Sequence, residues 1–247
     1  MLHYQPLIDL RNAEMTGVEA LIRWPEPNGG LVPPGDFIPL AEEMGLIEAI
    51  GAWVIDEVCR QGREWREQGL DIDISFNLSP RQLWQDDIVD QIVNPILGSG
   101  MDPSRVTVEI TESTAMTNPD RTLGILHELH ARGLRLAIDD FGTGYSSLAR
   151  LRYMPVDVLK IDRSFIREMD RDEQNASMVS AMVALASNLG MTSLAEGIET
   201  KAEWHALVER GCERGQGYYF SRPVPADEIV AIHRRAALHV VEGGAAS

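Results

Sequence analysis

From about residue 70 onward, short runs of two-residue apolar period alternate with longer helical runs, at spacings of roughly 20 to 35 residues. Ile72, Ile74 and Phe76 alternate with Asp73, Ser75 and Asn77, and Val106, Val108 and Ile110 with Thr107, Glu109 and Thr111. Leu134, Leu136 and Ile138 alternate in the same way with Arg135, Ala137 and Asp139. Helices are predicted over 87–97, 121–132, 175–188 and 201–210, with Asn118-Pro119 and Glu199-Thr200 as starts. Two strands joined by a helix run parallel, because a tight turn can connect only antiparallel neighbours. The first two strands, 2–10 and 14–24, break that order. Only a turn near Arg11-Asn12 separates them, too short for a crossover helix, so they run antiparallel.

A chain of 247 residues built from such units has the length of a (β/α)8 barrel. No Pro/Ser linker divides it, so one barrel domain over 1–240 is expected, with 241–247 as a flexible tail. The expected fold is α/β, a modified TIM barrel with an antiparallel first strand; on spacing alone a doubly wound open sheet is the alternative. Each strand then turns one face to the outer helices and the other into the barrel, and its C-terminal end opens at one mouth.

Charge narrows the partners. Against 38 acidic side chains stand 22 basic ones, a formal charge of −16, whereas a protein that tracks a long nucleic acid needs a basic face. The start lacks the charged and apolar regions of a leader, and no run approaches the ~20 apolar residues that span a bilayer, so no membrane contact is expected of this segment. Cys59 and Cys212 make neither a disulfide framework nor a zinc spacing, which fits a cytoplasmic location. Trp53, Trp65, Met178 and Met182 read as helix packing, and His127 with His130 as a partly exposed helix face.

On the barrel reading, the strand ends bring together Glu19, Asn77, Glu109, Asp139 with Asp140, Lys160 with Asp162, Glu196 and Gln216. The set is rich in hard oxygen donors and poor in His and Cys, so it suits Mg²⁺ or Mn²⁺ rather than zinc or copper. Clustered carboxylates without a cation repel one another, which makes bound metal the economical explanation.

These residues sit in blocks that resemble a known family. Gly17-Val18-Glu19-Ala20-Leu21-Ile22-Arg23-Trp24 is similar to the signature of the EAL-domain phosphodiesterases of bacterial cyclic di-GMP signalling. Tyr4-Gln5-Pro6, Phe76-Asn77-Leu78-Ser79-Pro80-Arg81-Gln82, Glu109-Ile110-Thr111-Glu112-Ser113 and Asp139-Asp140-Phe141-Gly142-Thr143-Gly144-Tyr145-Ser146-Ser147 follow in that family's order. So do Leu159-Lys160-Ile161-Asp162, Ala195-Glu196-Gly197-Ile198-Glu199-Thr200 and Gln216-Gly217-Tyr218-Tyr219-Phe220-Ser221-Arg222-Pro223.

The resemblance implies metal-dependent hydrolysis of cyclic di-GMP to linear 5′-pGpG by a water activated between two ions, Mg²⁺ or Mn²⁺, with Ca²⁺ inhibitory. It implies metal ligands Glu19, Asn77, Glu109, Asp139, Asp140 and Glu196, and catalytic roles for Lys160, Glu196 and Asp140. Substrate contacts are implied for Gln5, Leu21, Arg23 and Gln216, and supporting or loop roles for Glu112, Asp162 and Glu199, with Glu199 steadying the 141–147 loop. A homodimer, fused sensory or GGDEF domains in a larger cytoplasmic or membrane-anchored parent, and a place in biofilm control are further implications. The rival from another class is a receptor that binds cyclic di-GMP without cutting it.

Overall fold

The computed structural model describes residues 1–144 and 148–243. Ten strands are β1 Leu2–Asp9, β2 Met15–Ile22, β3 Trp24–Pro25, β4 Leu31–Val32, β5 Asp73–Asn77, β6 Val106–Thr111, β7 Arg135–Phe141, β8 Val158–Ile161, β9 Thr192–Ala195 and β10 Arg214–Gly215. Eight of them close a barrel in the order β1-β10-β9-β8-β7-β6-β5-β2, and β3 and β4 form a separate hairpin. β1 runs antiparallel to both of its neighbours, and every other pairing around the barrel is parallel. The modified barrel expected from the short first turn is thus the observed fold, and the open sheet is not.

That turn is built locally. Asp9 accepts from the Arg11 backbone N–H at 2.9 Å, Asn12 accepts from that of Glu14 at 3.0 Å, and Ala13 takes a left-handed conformation at φ 58°. Four residues complete the reversal, which leaves no length for a crossover.

The pleat separates two apolar populations. Val18, Ile74, Phe76, Val108, Ile138 and Leu159 pack outward into the main core, with Ile55, Val58 and Trp65 of one helix and Ile92 and Ile96 of another. Burial of each such side chain contributes about 1.5–3 kcal/mol. On the opposite parity, Leu7, Ala137, Val158 and Leu194 form a small separate cluster inside the barrel. The last three stand two residues before Asp139, Lys160 and Glu196, so this cluster lies beneath the mouth as a dry floor. At the N-terminal strand ends, Asp73 pairs with Arg105 at 3.3 Å and with Arg135 at 2.7 Å.

The predicted helix starts are observed. Asn118 precedes the helix Pro119–Ala131, and Thr200 begins Lys201–Glu209 with a reciprocal capping box to Glu203. The stretch between β2 and β5 holds structure that the periodicity did not resolve: the β3–β4 hairpin, helix α1 (Pro34–Glu43) and helix α2 (Ile47–Glu67). Pro33-Pro34 and the internal Pro39 mask the helical period of α1. Trp65 and Met182 are buried as expected, but Trp53 and Met178 are exposed, because each lies on the solvent side of its helix. His127 and His130 are exposed as expected. Of the expected tail, 241–243 continue the helix Ala226–Gly243, and 244–247 lie outside the described residues.

Candidate active site

Every barrel strand delivers a polar side chain to the mouth from its inward parity. Gln5 comes from β1, Glu19 from β2, Asn77 from β5, Glu109 from β6, Asp139 from β7 and Lys160 from β8. Glu196 and Gln216 follow immediately after β9 and β10. The registers align them: Gln5 pairs with Glu19, and Asn77 with Glu109.

Lys160 is the centre of the cluster and has no solvent exposure. Its Nζ donates to Glu109, and lies 2.8 Å from Glu196 Oε1, 3.2 Å from Asp139 Oδ1 and 3.6 Å from Glu19 Oε2. Burial alone lowers the pKa of an ammonium, but here the surrounding carboxylates outweigh it and hold Lys160 well above the usual lysine range. The carboxylates are strained in the opposite sense. Burial, and then the neighbouring Glu19, push Glu109 well up, while burial and the Asp139 and Glu19 charges push Glu196 up to about 8 against the pull of Lys160. Asp140 is raised by burial and by the adjacent Asp139 and Asp162 charges.

Amide side chains orient the carboxylates. Asn77 Nδ2 donates to Glu19 Oε1 at 2.8 Å, and Gln216 Nε2 donates to Glu19 Oε2 at 2.7 Å and Glu196 Oε1 at 3.0 Å. Gln216 is itself placed by a close backbone approach: its N–H donates to Ala195 O at 2.9 Å and its carbonyl accepts from Ile198 N–H at 3.1 Å. A Cβ at the following Gly217 would stand 2.1 Å from Ile198 O, so only glycine fits there. Gln5 turns away from the carboxylates and donates to Ser221 O at 3.1 Å.

The chain leaves β7 through a left-handed Asp140 at φ 55°, held by the Thr143 hydroxyl donating to Asp140 O at 2.9 Å. Asp140 N–H donates to Asp139 Oδ1 at 2.9 Å, which fixes the Asp139 carboxylate against the turn. Glu112 then accepts from Gly142 N–H at 2.8 Å, so it ties β6 to this loop. The backbone N–H of Glu199 donates to Glu203 Oε2 at 2.9 Å, and residues 145–147 of the loop that Glu199 is expected to steady lie outside the described residues. Asp162 caps the short helix Arg163–Ile166 by accepting from Ser164 N–H at 2.9 Å. Asp162-Arg163-Ser164 is a local capping signal that the sequence carries.

Two groups of oxygen donors could each hold a cation: Glu19, Glu109 and Asp139, and Asp139, Asp140 and Glu196, with ligand atoms in each within 4.8 Å of one another. The donor chemistry fits hard divalent ions. Four carboxylates around one ammonium leave an excess formal charge of minus three in a buried site, and Gln216 Oε1 is buried without a partner. Asp139 is common to both groups.

Beside the carboxylates opens a cleft of about 410 Å³, lined by Leu21, Ile38, Ile50, Val54 and Phe76 with Arg23, Asn77, Ser79 and Gln82 at its polar edges. Helices α1 and α2 supply one wall, which the sequence reading missed because it assigned no elements to residues 25–60. Arg23 is half-buried and donates to Ile22 O at 2.8 Å. On the far side of the mouth, the Arg222 guanidinium lies 4.2 Å from the Tyr218 ring centroid.

Comparison with known proteins follows the same geometry. The EAL domain family model matches residues 1–223. The chain is 48% identical over 232 residues to the bifunctional diguanylate cyclase/cyclic di-GMP phosphodiesterase MucR of Pseudomonas aeruginosa, covering 94% of this chain and 34% of MucR. It is 38% identical over 226 residues to the cyclic di-GMP phosphodiesterase PdeR of Escherichia coli, covering 92% of this chain and 34% of PdeR. The chain thus spans about a third of the length of these relatives. Among solved structures, the MucR phosphodiesterase in complex with c-di-GMP superimposes with a TM-score of 0.89 at 48% identity, over 93% of each chain. The EAL domain of FimX from Pseudomonas aeruginosa, bound to c-di-GMP, gives 0.83 at 25% identity over 90% of each. With its eight ordered sequence blocks brought to one barrel mouth and the family model matched from end to end of them, the chain belongs to the EAL domain family.

Proposed function

We propose that this chain is a metal-dependent phosphodiesterase that hydrolyses cyclic di-GMP to linear 5′-pGpG. The observation that carries the reading is the pair of carboxylate groups sharing Asp139 around the buried Lys160, at the C-terminal mouth of an EAL-family barrel. MucR and PdeR, by their names, act on this substrate.

In the reaction a water oxygen attacks phosphorus, the bond from phosphorus to a ribose 3′ oxygen breaks, and that oxygen leaves with a proton as a free hydroxyl. The phosphate stays on the neighbouring 5′ carbon. Glu19, Asn77, Glu109, Asp139, Asp140 and Glu196 would hold two Mg²⁺ or Mn²⁺ ions, with Ca²⁺ inhibitory. Bound divalent ions supply Lewis acidity to the phosphoryl oxygen and acidify the attacking water.

The protein's own groups do the rest. Lys160 keeps its proton and aims a fixed positive charge at the place where negative charge grows on phosphorus. Glu196, raised toward neutrality, is poised to take a proton from water and to pass one on. Gln216 holds Glu19 and Glu196 in register through its two N–H donations. Arg23 offers a guanidinium to the phosphate that is not cut, and Leu21 with its apolar neighbours offers a face to a guanine. Gln5 rigidifies the segment after Gln216 through Ser221. Glu112 supports the loop that carries Asp140, and Asp162 and Glu199 shape the turns beside it.

We also propose that the chain works as a homodimer, as one domain of a larger cytoplasmic or membrane-anchored protein, in bacterial signalling of the kind that governs biofilms. No helix among the described residues is long and apolar enough to cross a membrane.

The test is incubation of the purified chain with cyclic di-GMP, with no added metal and with Mg²⁺, Mn²⁺ or Ca²⁺, and chromatographic separation of the products. A linear dinucleotide in Mg²⁺ or Mn²⁺ but not in Ca²⁺ is expected. Tight binding without product in every metal would overturn the enzyme reading in favour of a receptor.

A further inference from the structure

One face of the molecule stands apart in composition. Between Trp24 and Cys59 the chain carries seven Asp or Glu and not one Lys, Arg or His. This acidic lobe comprises the β3–β4 hairpin, α1 and the first half of α2. It also bears a concentration of exposed large apolar side chains: Trp24, Leu40, Met44, Leu46 and Trp53 are each between 41% and 64% exposed. They border a single groove of about 660 Å³ with Phe37 at its floor. Leu40 and Met44 form an i, i+4 stripe on α1, and Ala49 and Trp53 form one on α2, so two apolar ridges flank the groove. Contiguous apolar surface of this kind on a soluble protein marks an interaction site.

The carboxylates beside the groove decide among occupants. Asp36, Glu43 and Glu48 are exposed and adjoin the lining residues Phe37, Met44 and Ala49 in sequence. Among the described residues, the cations that line the groove are Arg23, whose guanidinium is bound to Ile22 O, and the chain's amino terminus, which donates to Arg23 O at 3.0 Å. A second copy meeting this face by two-fold symmetry would set these three carboxylates against their own counterparts. An anionic lipid surface would be repelled in the same way. We propose that the groove is a docking surface for an amphipathic helix whose apolar face fills it and whose flanks are basic. Helix-in-groove recognition supplies the contacts: leucine-type anchors spaced i, i+3/i+4, i+7 lie between the α1 and α2 ridges, and lysines or arginines reach the acidic rim. The proposal concerns a face distinct from the carboxylate cluster and does not depend on the reaction.

The probe is a fluorescein-labelled peptide of leucine and lysine only, about 14 residues or four helical turns long, patterned to give one apolar face. Its anisotropy is measured against the intact chain. Two comparison peptides are used: the leucine/glutamate counterpart, and the same leucine/lysine composition scrambled to remove the apolar face. Saturable binding of the patterned peptide is expected, with both comparison peptides weaker by at least about tenfold. Leu40→Ser combined with Met44→Ser should weaken binding at least about tenfold, and Glu43→Lys combined with Glu48→Lys should do the same, while Tyr153→Ser, an exposed aromatic outside the lobe, should leave it unchanged. All five positions are exposed, and an unchanged melting temperature shows that each variant folds. Equal binding of the scrambled peptide would reduce the effect to net charge and overturn the proposal. Full binding by the Leu40/Met44 variant would place the peptide elsewhere and overturn it too. So would preferential capture by phosphatidylserine vesicles, or an oligomer that the Leu40/Met44 variant dissociates, since either assigns the groove another occupant.

Discussion

Replacing Lys160 with methionine keeps the length of the side chain and removes the one ammonium that four carboxylates share. Without it, one more buried carboxyl must be held neutral in the native state. Keeping a carboxyl of ordinary pKa about 4.3 protonated at pH 7 costs about 3.7 kcal/mol, since each pH unit is worth about 1.4 kcal/mol. The sign is set by proton uptake. The native variant binds one proton more than its unfolded chain does, so its stability falls as pH rises from about 4.3, and the deficit shrinks to about 1 kcal/mol at pH 5. With an unfolding entropy of about 2.1 cal/mol/K per residue, the expected drop in melting temperature is about 7 °C at pH 7 and about 2 °C at pH 5. Thermal unfolding of both proteins in EDTA, from pH 5 to 8, measures it. Mg²⁺ should recover part of the pH 7 loss, because a divalent ion supplies the missing positive charge. A variant as stable as the parent at pH 7, or a deficit that does not change between pH 5 and 7, would refute the view that Lys160 neutralises the cluster.

Glu19→Ala or Asn77→Ala should abolish Mg²⁺-dependent hydrolysis with a circular dichroism spectrum unchanged from the parent; retained turnover in either would remove that residue from the ligand set. Glu112→Ala loses the charge-assisted acceptor for Gly142 N–H, about 1.5–3 kcal/mol, and should lower kcat about 10- to 100-fold, with Glu112→Gln recovering most of it; equal kcat in all three proteins would disconnect the loop from turnover. Because Glu196 is held up to about 8 when no metal is bound, Mg²⁺ affinity should rise with pH up to about that value and binding should release protons; calorimetry in two buffers of different ionisation heat reads this, and a buffer-independent heat at pH 7 would contradict it. Gly142→Ala meets Met182 Cε at 2.5 Å at a φ of +98°, so it should lower the melting temperature measurably, and an unchanged melt would deny the loop's packing.

How much was legible beforehand differs from strand to strand. The antiparallel first pair could be read from the length of one turn, because two or three residues cannot carry a crossover. The inward parity of Asn77, Glu109 and Asp139 followed from the two-residue period of β5, β6 and β7, whose outward partners are apolar. Lys160 lies on a four-residue strand and Glu196 directly after another, both too short for a period to establish itself; the barrel reading set them at strand ends, and their roles came only through the family blocks. Residues 25–60 were silent because their prolines and short hairpin break every period. The wall of the cleft and the exposed groove on the acidic lobe therefore went unread, and Trp53 was assigned to packing.

The alternation of strands and helices beyond about residue 70, the antiparallel first pair, the excess of acid and the identity of the oxygen donors were determined by the sequence alone, since all follow from composition, period and loop length. Which carboxylates face one another across Lys160, that Glu112 accepts from Gly142 N–H in the described part of the loop, and that α1 closes one side of the cleft were decided only by the tertiary structure. Barrel closure staggers eight strands against each other, so that residues as distant in sequence as Glu19 and Gln216, 197 positions apart, meet at hydrogen-bond distance, and no local pattern encodes that distance.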